Sequence, residues 1–225
     1  MRERPIIFNA DMVRAVLNGR KTQTRRIMRV QPESAEFESR FIIDSTKRSE
    51  IGKWCWAEPG VFVNPRRSAL FPCPFGEIGD RLWVRETFRV HSRATDVATL
   101  VYKASEQQSW TQQTHRVPIE KCNKPALVDK WTPSIHMPRW ASRITLEITG
   151  VRVERLNSIN EEDSQAEGVQ QLRGGFWRHY QPGWTQHQLS AHGSFVTLWK
   201  SIYGEESWQA NPWVWVIEFK RLEVE

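Results

Sequence analysis

The run Gly19-Arg20-Lys21-Thr22-Gln23-Thr24-Arg25-Arg26 places an amine, two hydroxyls and several guanidiniums side by side. A threonine hydroxyl is a poor nucleophile until a base takes its proton. A lysine acts as that base only if burial or neighbouring cations push its pKa toward neutrality, and Arg20, Arg25 and Arg26 supply such cations. The tetrahedral intermediate of such a reaction needs a donor for its oxyanion, for which a backbone N–H near the Thr22–Thr24 turn or the Arg26 guanidinium are candidates. The bland reading of the run is a solvated basic turn, and spacing alone favours it.

Two carboxylates stand out. Glu167 lies one residue before Gly168, after the turn at Leu156-Asn157, where a side chain can project toward a site. Its bland reading is one more exposed glutamate beside Glu161, Glu162 and Asp163. Glu86 shares the face of Leu82, Val84 and Phe88, so it is expected to be buried and paired, as a structural or substrate-binding carboxylate. Phe8, Trp83 and Trp177 are candidates to stack on a flat substrate, with no spacing argument to choose among them.

The elements that must position these groups are legible in part. Met12, Val13, Val16 and Leu17 recur at helical spacing, Asn9 or Asp11 can cap the start, and Gly19 supplies the stop. The chain then runs extended through the threonines. In a regular strand Thr22, Thr24 and Arg26 share one face and Lys21 takes the other, so joint action of Lys21 and Thr24 requires a turn or bulge between them. Further strands are expected at 5–8, 81–85, 99–103, 143–156 and 213–222. Helices are expected at 160–167, ended by Gly168, and at 189–203, ended by Gly204.

At 225 residues, without a linker or low-complexity run, the chain reads as one domain. The net charge of +6 tolerates an anionic partner, and arginine supplies 23 of the 32 basic residues, which suits phosphates and stacked bases. Charge alone weighs an RNA binder and an enzyme with a basic surface equally. Trp54, Trp56, Trp110, Trp131, Trp177 and Trp184 lie in polar surroundings where an indole either joins the core or lines a groove. Cys55, Cys73 and Cys122 form no C-x-x-C pair, so reduced thiols and a cytoplasmic location are expected. The six histidines show no metal-ligand spacing, and no metal or cofactor is expected. Nothing reads as a signal peptide or a membrane span.

The pattern Gly19, Lys21, Arg26 resembles the signature of the ASCH domain, a small β-barrel related to the PUA RNA-binding modules. Three further segments agree: Gly79-Asp80-Arg81-Leu82-Trp83-Val84, the stretch from Ile144 to Leu156 with Ala166-Glu167-Gly168, and 213–219. The implied fold is α+β, a PUA-like mixed β-barrel with flanking helices and insertions at about 33–75 and 105–140. Larger relatives of this layout, including the segment 135–143, are often encoded in phages and prophages. The family includes small metal-independent bacterial amidohydrolases that remove the acyl group of N4-acetylcytidine. Their lysine, threonine and glutamate match Lys21, Thr24 and Glu167, the last reached through a Leu-(x10)-Glu stretch starting at Leu156. Those enzymes are about half this length, which leaves the roles of the insertions open.

Three functions follow as expectations. The first is an N4-acylcytidine amidohydrolase with Lys21, Thr24 and Glu167 as catalytic residues and Arg26, Glu86, Phe8 and Trp83 as substrate-binding ones. The second is a non-catalytic RNA-binding module, and the third a single-stranded RNA nuclease using the same basic groove. RNA binding falls steeply with salt, whereas hydrolysis of an uncharged nucleoside does not.

Overall fold

A computed structural model describes residues 1–61, 65–127 and 129–223. In chain order it contains β1 (Glu3–Ile7), α1 (Ala10–Leu17), β2 (Gln23–Ile27), β3 (Glu38–Phe41), β4 (Trp54–Ala57), β5 (Arg81–Arg85), β6 (Phe88–Arg93), β7 (Val97–Tyr102), α2 (Trp110–Gln113), β8 (Thr114–Pro118), β9 (Thr145–Arg155), α3 (Glu161–Ala166), α4 (Ala191–Tyr203), α5 (Glu205–Gln209) and β10 (Trp213–Leu222). Short 3₁₀ turns join several of them. The architecture is α+β.

The main sheet runs β1-β5-β9-β10-β2; β1 and β5 are parallel and the other neighbours antiparallel. Alternation along β10 gives this sheet two apolar faces. Trp215, Ile217 and Phe219 join a core with Phe8, Leu82, Val84, Leu146 and the apolar face of α1. Val214 and Val216 point the other way, into a second core with Leu156, Phe195, Leu198 and Trp199 of α4. The segments outside this sheet make a pair, β3-β4, and a three-stranded sheet, β6-β7-β8, with its own core around Phe88, Leu100 and Tyr102.

A closed barrel was the expectation, and among the described residues no sheet closes on itself. Strands β1 and β2 are the two edges, and no ladder joins them. A side chain spans the seam instead: Arg26 Nη2 on β2 donates to the Ile7 carbonyl on β1 at 2.7 Å.

The helices form where capping chemistry and apolar spacing coincide. Asn9 Oδ1 accepts from the Met12 amide at 2.9 Å and caps α1, and Gly19 leaves the helix at φ 72°, a left-handed conformation that glycine adopts at little cost. Asn160 and Ser190 cap α3 and α4 in the same way. Glu161 adds a second brace, accepting the amides of Ala191 and His192 at the start of α4. No helix among the described residues is long and apolar enough to cross a membrane.

Candidate active site

Lys21 precedes β2 and does not belong to it. Its amide donates to the Ala15 carbonyl at 3.1 Å, the Thr22 amide donates to the Ala166 carbonyl at 2.9 Å, and an isolated antiparallel bridge pairs Lys21 with Glu167. This irregular stretch ends at Gln23, where β2 begins. Gly168 makes the clamp possible. A Cβ there would stand 2.7 Å from Lys21 Cβ and 2.8 Å from Ala15 Cβ, and its φ of +89° is one that other residues rarely adopt.

The Lys21 side chain is sealed from solvent. Its ammonium donates to Glu167 Oε2 and to the Glu167 carbonyl, both at 2.8 Å, so two of its three N–H donors are taken. Burial pushes its pKa below that of an ordinary lysine. The Glu167 carboxylate opposes this, Arg26 and Arg25 reinforce it, and the net direction is down. Glu167, itself 3% exposed, is held from its other side by Arg25 Nη1 at 3.3 Å.

Arg25 extends the cluster. Its Nη2 donates to Asp163 Oδ2 at 2.7 Å and Glu154 Oε2 at 3.1 Å, and Arg152 joins Asp163, Glu154 and Glu218. Lys21, Arg25, Glu167 and Asp163 thus form one ionic network where β2, β9, β10 and α3 meet. Asp163 and Glu167 stand four residues apart at the end of one helix, which is why they share a face.

Thr24 points to the opposite side of β2, into the core that contains Phe8. It is 1% exposed, and its hydroxyl has no hydrogen-bond partner among the described residues. An unpaired buried hydroxyl costs roughly 1–3 kcal/mol, so its retention calls for a reason. Phe8 links the two sides, with Lys21 Nζ and Arg26 Cζ each 5.6 Å from its ring centroid. Arg26 also donates to the Tyr203 hydroxyl at 3.2 Å.

The structure therefore brings Phe8, Lys21, Arg26 and Glu167 into contact and sets Thr24 on the adjoining strand. Glu86 and Trp83 lie apart from them. Glu86 is buried and paired, as its face on β5 implies, but its partner is Arg143, which grips both carboxylate oxygens at 2.9 and 3.0 Å and also bonds Ser105. Burial pushes the Glu86 carboxyl up, against the pull of Arg143. Arg143 borders a separate polar cavity of about 540 Å³ with Gln112, His115 and Arg221. Trp83 faces outward on β5, between the guanidiniums of Arg85 and Arg139. Trp177 belongs to the second core.

Sequence reading missed the grip of Arg25 on Glu167 and the part played by Asp163. The available signals were the odd-numbered face shared by Lys21, Gln23 and Arg25 and the four-residue spacing of Asp163 and Glu167. Of the oxyanion donors considered, the Thr22 amide is occupied by Ala166, whereas Arg26 retains N–H groups beyond those bound to Tyr203 and Ile7. Among the described residues, no group of His, Cys, Asp or Glu side chains is arranged to hold a metal ion. Compared with protein-family models, curated proteins and solved structures, the chain matches none.

Proposed function

We propose that this chain is an ASCH-type, PUA-like amidohydrolase that removes the acyl group from N4-acetylcytidine and related N4-acylated cytosine nucleosides or bases. One observation carries the reading: a desolvated lysine with a lowered pKa is clamped to a buried glutamate beside Phe8, and three positions along the chain stands a buried threonine hydroxyl with no hydrogen-bond partner among the described residues. Structural lysines are rarely buried at such cost, and pKa values displaced in this way cluster at functional sites.

The chemistry then runs as acyl transfer. Neutral Lys21 takes the proton from Thr24 Oγ1 as that oxygen bonds to the acyl carbon. Arg26 stabilises the resulting oxyanion. The C–N bond breaks as the proton passes from Lys21 to the departing N4, releasing cytidine. Water attacks the Thr24 ester with Lys21 again as base, the carboxylic acid departs and the hydroxyl is restored. Glu167 positions Lys21 and, together with Arg25 behind it, fixes the direction of the amine.

The test is cytidine release from N4-acetylcytidine by wild type and by Lys21→Ala, Thr24→Ala and Glu167→Ala, with and without EDTA. Turnover that survives the chelator and falls by at least about 100-fold in each variant supports the reading. An intact wild type that leaves the substrate untouched overturns it, and salt-titrated RNA binding then becomes the reading to test.

A further inference from the structure

The inner face of β2 continues beyond Thr24. Register sets Thr24 opposite Ile217 and Arg26 opposite Trp215, so Trp215 is a diagonal neighbour of Thr24 across the ladder. Diagonal neighbours stand about 7–8 Å apart, within reach of a small substrate. Trp215 is also one wall of a cavity of about 460 Å³, with Met28 beside it. The facing wall comes from the segment between β4 and β5, as Phe71, Pro74 and Phe75. Phe71 meets Trp215 edge-on, with ring centroids 6.2 Å apart. Arg26, bridging to β1, lies along β2 between Thr24 and Ile27, the first β2 residue that lines this cavity.

The two halves of an N-acylcytosine need different surroundings. The pyrimidine edge needs hydrogen-bonding groups, which lie on the Lys21, Arg26 and Glu167 side. The acyl group needs apolar surface, and rings, prolines and aliphatic side chains dominate this cavity, with Arg29 at its exposed margin. We infer that this cavity is the acyl-group subsite and that the chain prefers substrates carrying a large, flat, apolar acyl group, such as benzoyl, over acetyl. The inference rests on the amidohydrolase reading above and assigns the segment around 71–75 the task of setting acyl preference.

The experiment compares kcat/KM for N4-benzoylcytidine and N4-acetylcytidine in wild type, Val30→Trp and Phe75→Ala. Val30 is 46% exposed and Phe75 half-buried, so neither substitution opens the fully buried core; equal thermal midpoints confirm folding. A calorimetric titration with N4-benzoylcytidine, against cytidine as control, reads binding independently of turnover. Wild type is expected to favour the benzoyl substrate, and the benzoyl-to-acetyl ratio is expected to fall by at least about tenfold in Val30→Trp, which fills the cavity, and in Phe75→Ala, which removes a wall. An equal ratio in all three proteins overturns the subsite and leaves the hydrolase reading standing. Tight benzoyl-dependent binding that Val30→Trp abolishes, without turnover of either substrate, supports the cavity as an aromatic-acyl site and removes the hydrolase reading. Neither turnover nor benzoyl-dependent binding overturns both.

Discussion

Thr24 and Lys21 are each a poor choice for stability. The hydroxyl of Thr24 is buried without a partner among the described residues, and the amine of Lys21 is buried at a cost that Glu167 offsets only in part. Replacing Thr24 by valine keeps the shape and removes the orphaned group, so Thr24→Val should leave the protein equally stable or raise its stability by up to about 1 kcal/mol, measured by urea unfolding. The same variant should lose turnover, the exchange of stability for activity common at active sites. Lys21 yields a pH prediction. Only its neutral form is a base, and its pKa lies below that of an ordinary lysine. Hydrolysis should therefore rise with pH and level off below about 10.4, the usual lysine value, as read from a kcat/KM profile. At this scale the sequence singled out Lys21 and Glu167, and the structure pairs them. It was silent on the grip of Arg25 on Glu167, because the folding of α3 onto β2 creates that contact.

What holds Lys21 is a junction between elements. The end of α1 turns through Gly19 so that Arg20 and Lys21 bond back to Ala15, and the end of α3 arrives at Gly168 in contact with both Lys21 and Ala15. Gly168→Ala forces a Cβ into space already occupied, at a φ that alanine adopts only with strain. The expected loss is roughly 2–4 kcal/mol in urea unfolding, with a disproportionate loss of turnover because Lys21 is displaced. Helix α3 is only six residues long and marginal by itself, so its cap matters. Asn160→Ala should cost about 1 kcal/mol. Most of these elements were readable: α1, α3, α4, β1, β5, β7, β9 and β10 each carry a cap, a glycine stop or a clear apolar alternation. Strands β3, β6 and β8 were not, since Glu38–Phe41, Phe88–Arg93 and Thr114–Pro118 are rich in charge and polar groups and become strands by pairing with a more apolar neighbour. The open seam between β1 and β2 was hidden too, because the pairing of two sheet edges depends on the twist of the whole sheet rather than on either segment.

Across the whole molecule, the ionic network ties three neighbouring strands of the main sheet to α3. Arg25 on β2 reaches Glu154 on β9 and Asp163 on α3, and Arg152 on β9 reaches Asp163 and Glu218 on β10. The Arg25 side chain is sealed from solvent and pairs with three carboxylates, so removing one leaves its charge partly compensated by the other two and costs less than the about 3–5 kcal/mol of breaking an isolated buried pair. This arrangement fixes the sign of the acid response. Burial pushes the Asp163 carboxyl up, but the guanidiniums of Arg25 and Arg152 outweigh it and hold the carboxyl below its usual value. A carboxylate lowered on folding contributes stability that is fully present above its unfolded pKa of about 3.9 and is lost as pH falls through the lower folded value. Glu3, bonded to Arg139, and Asp80, bonded to the Arg2 amide, are lowered as well and add to the same fall, whereas Glu86, raised by burial, acts in the opposite sense. The urea midpoint of the wild type should therefore drop steeply below about pH 4. Asp163→Asn should start lower at neutral pH and fall less steeply with acid, because it lacks the proton uptake that weakens the junction. Parallel acid limbs in the two proteins would mean that Asp163 does not couple β2 and β9 to α3.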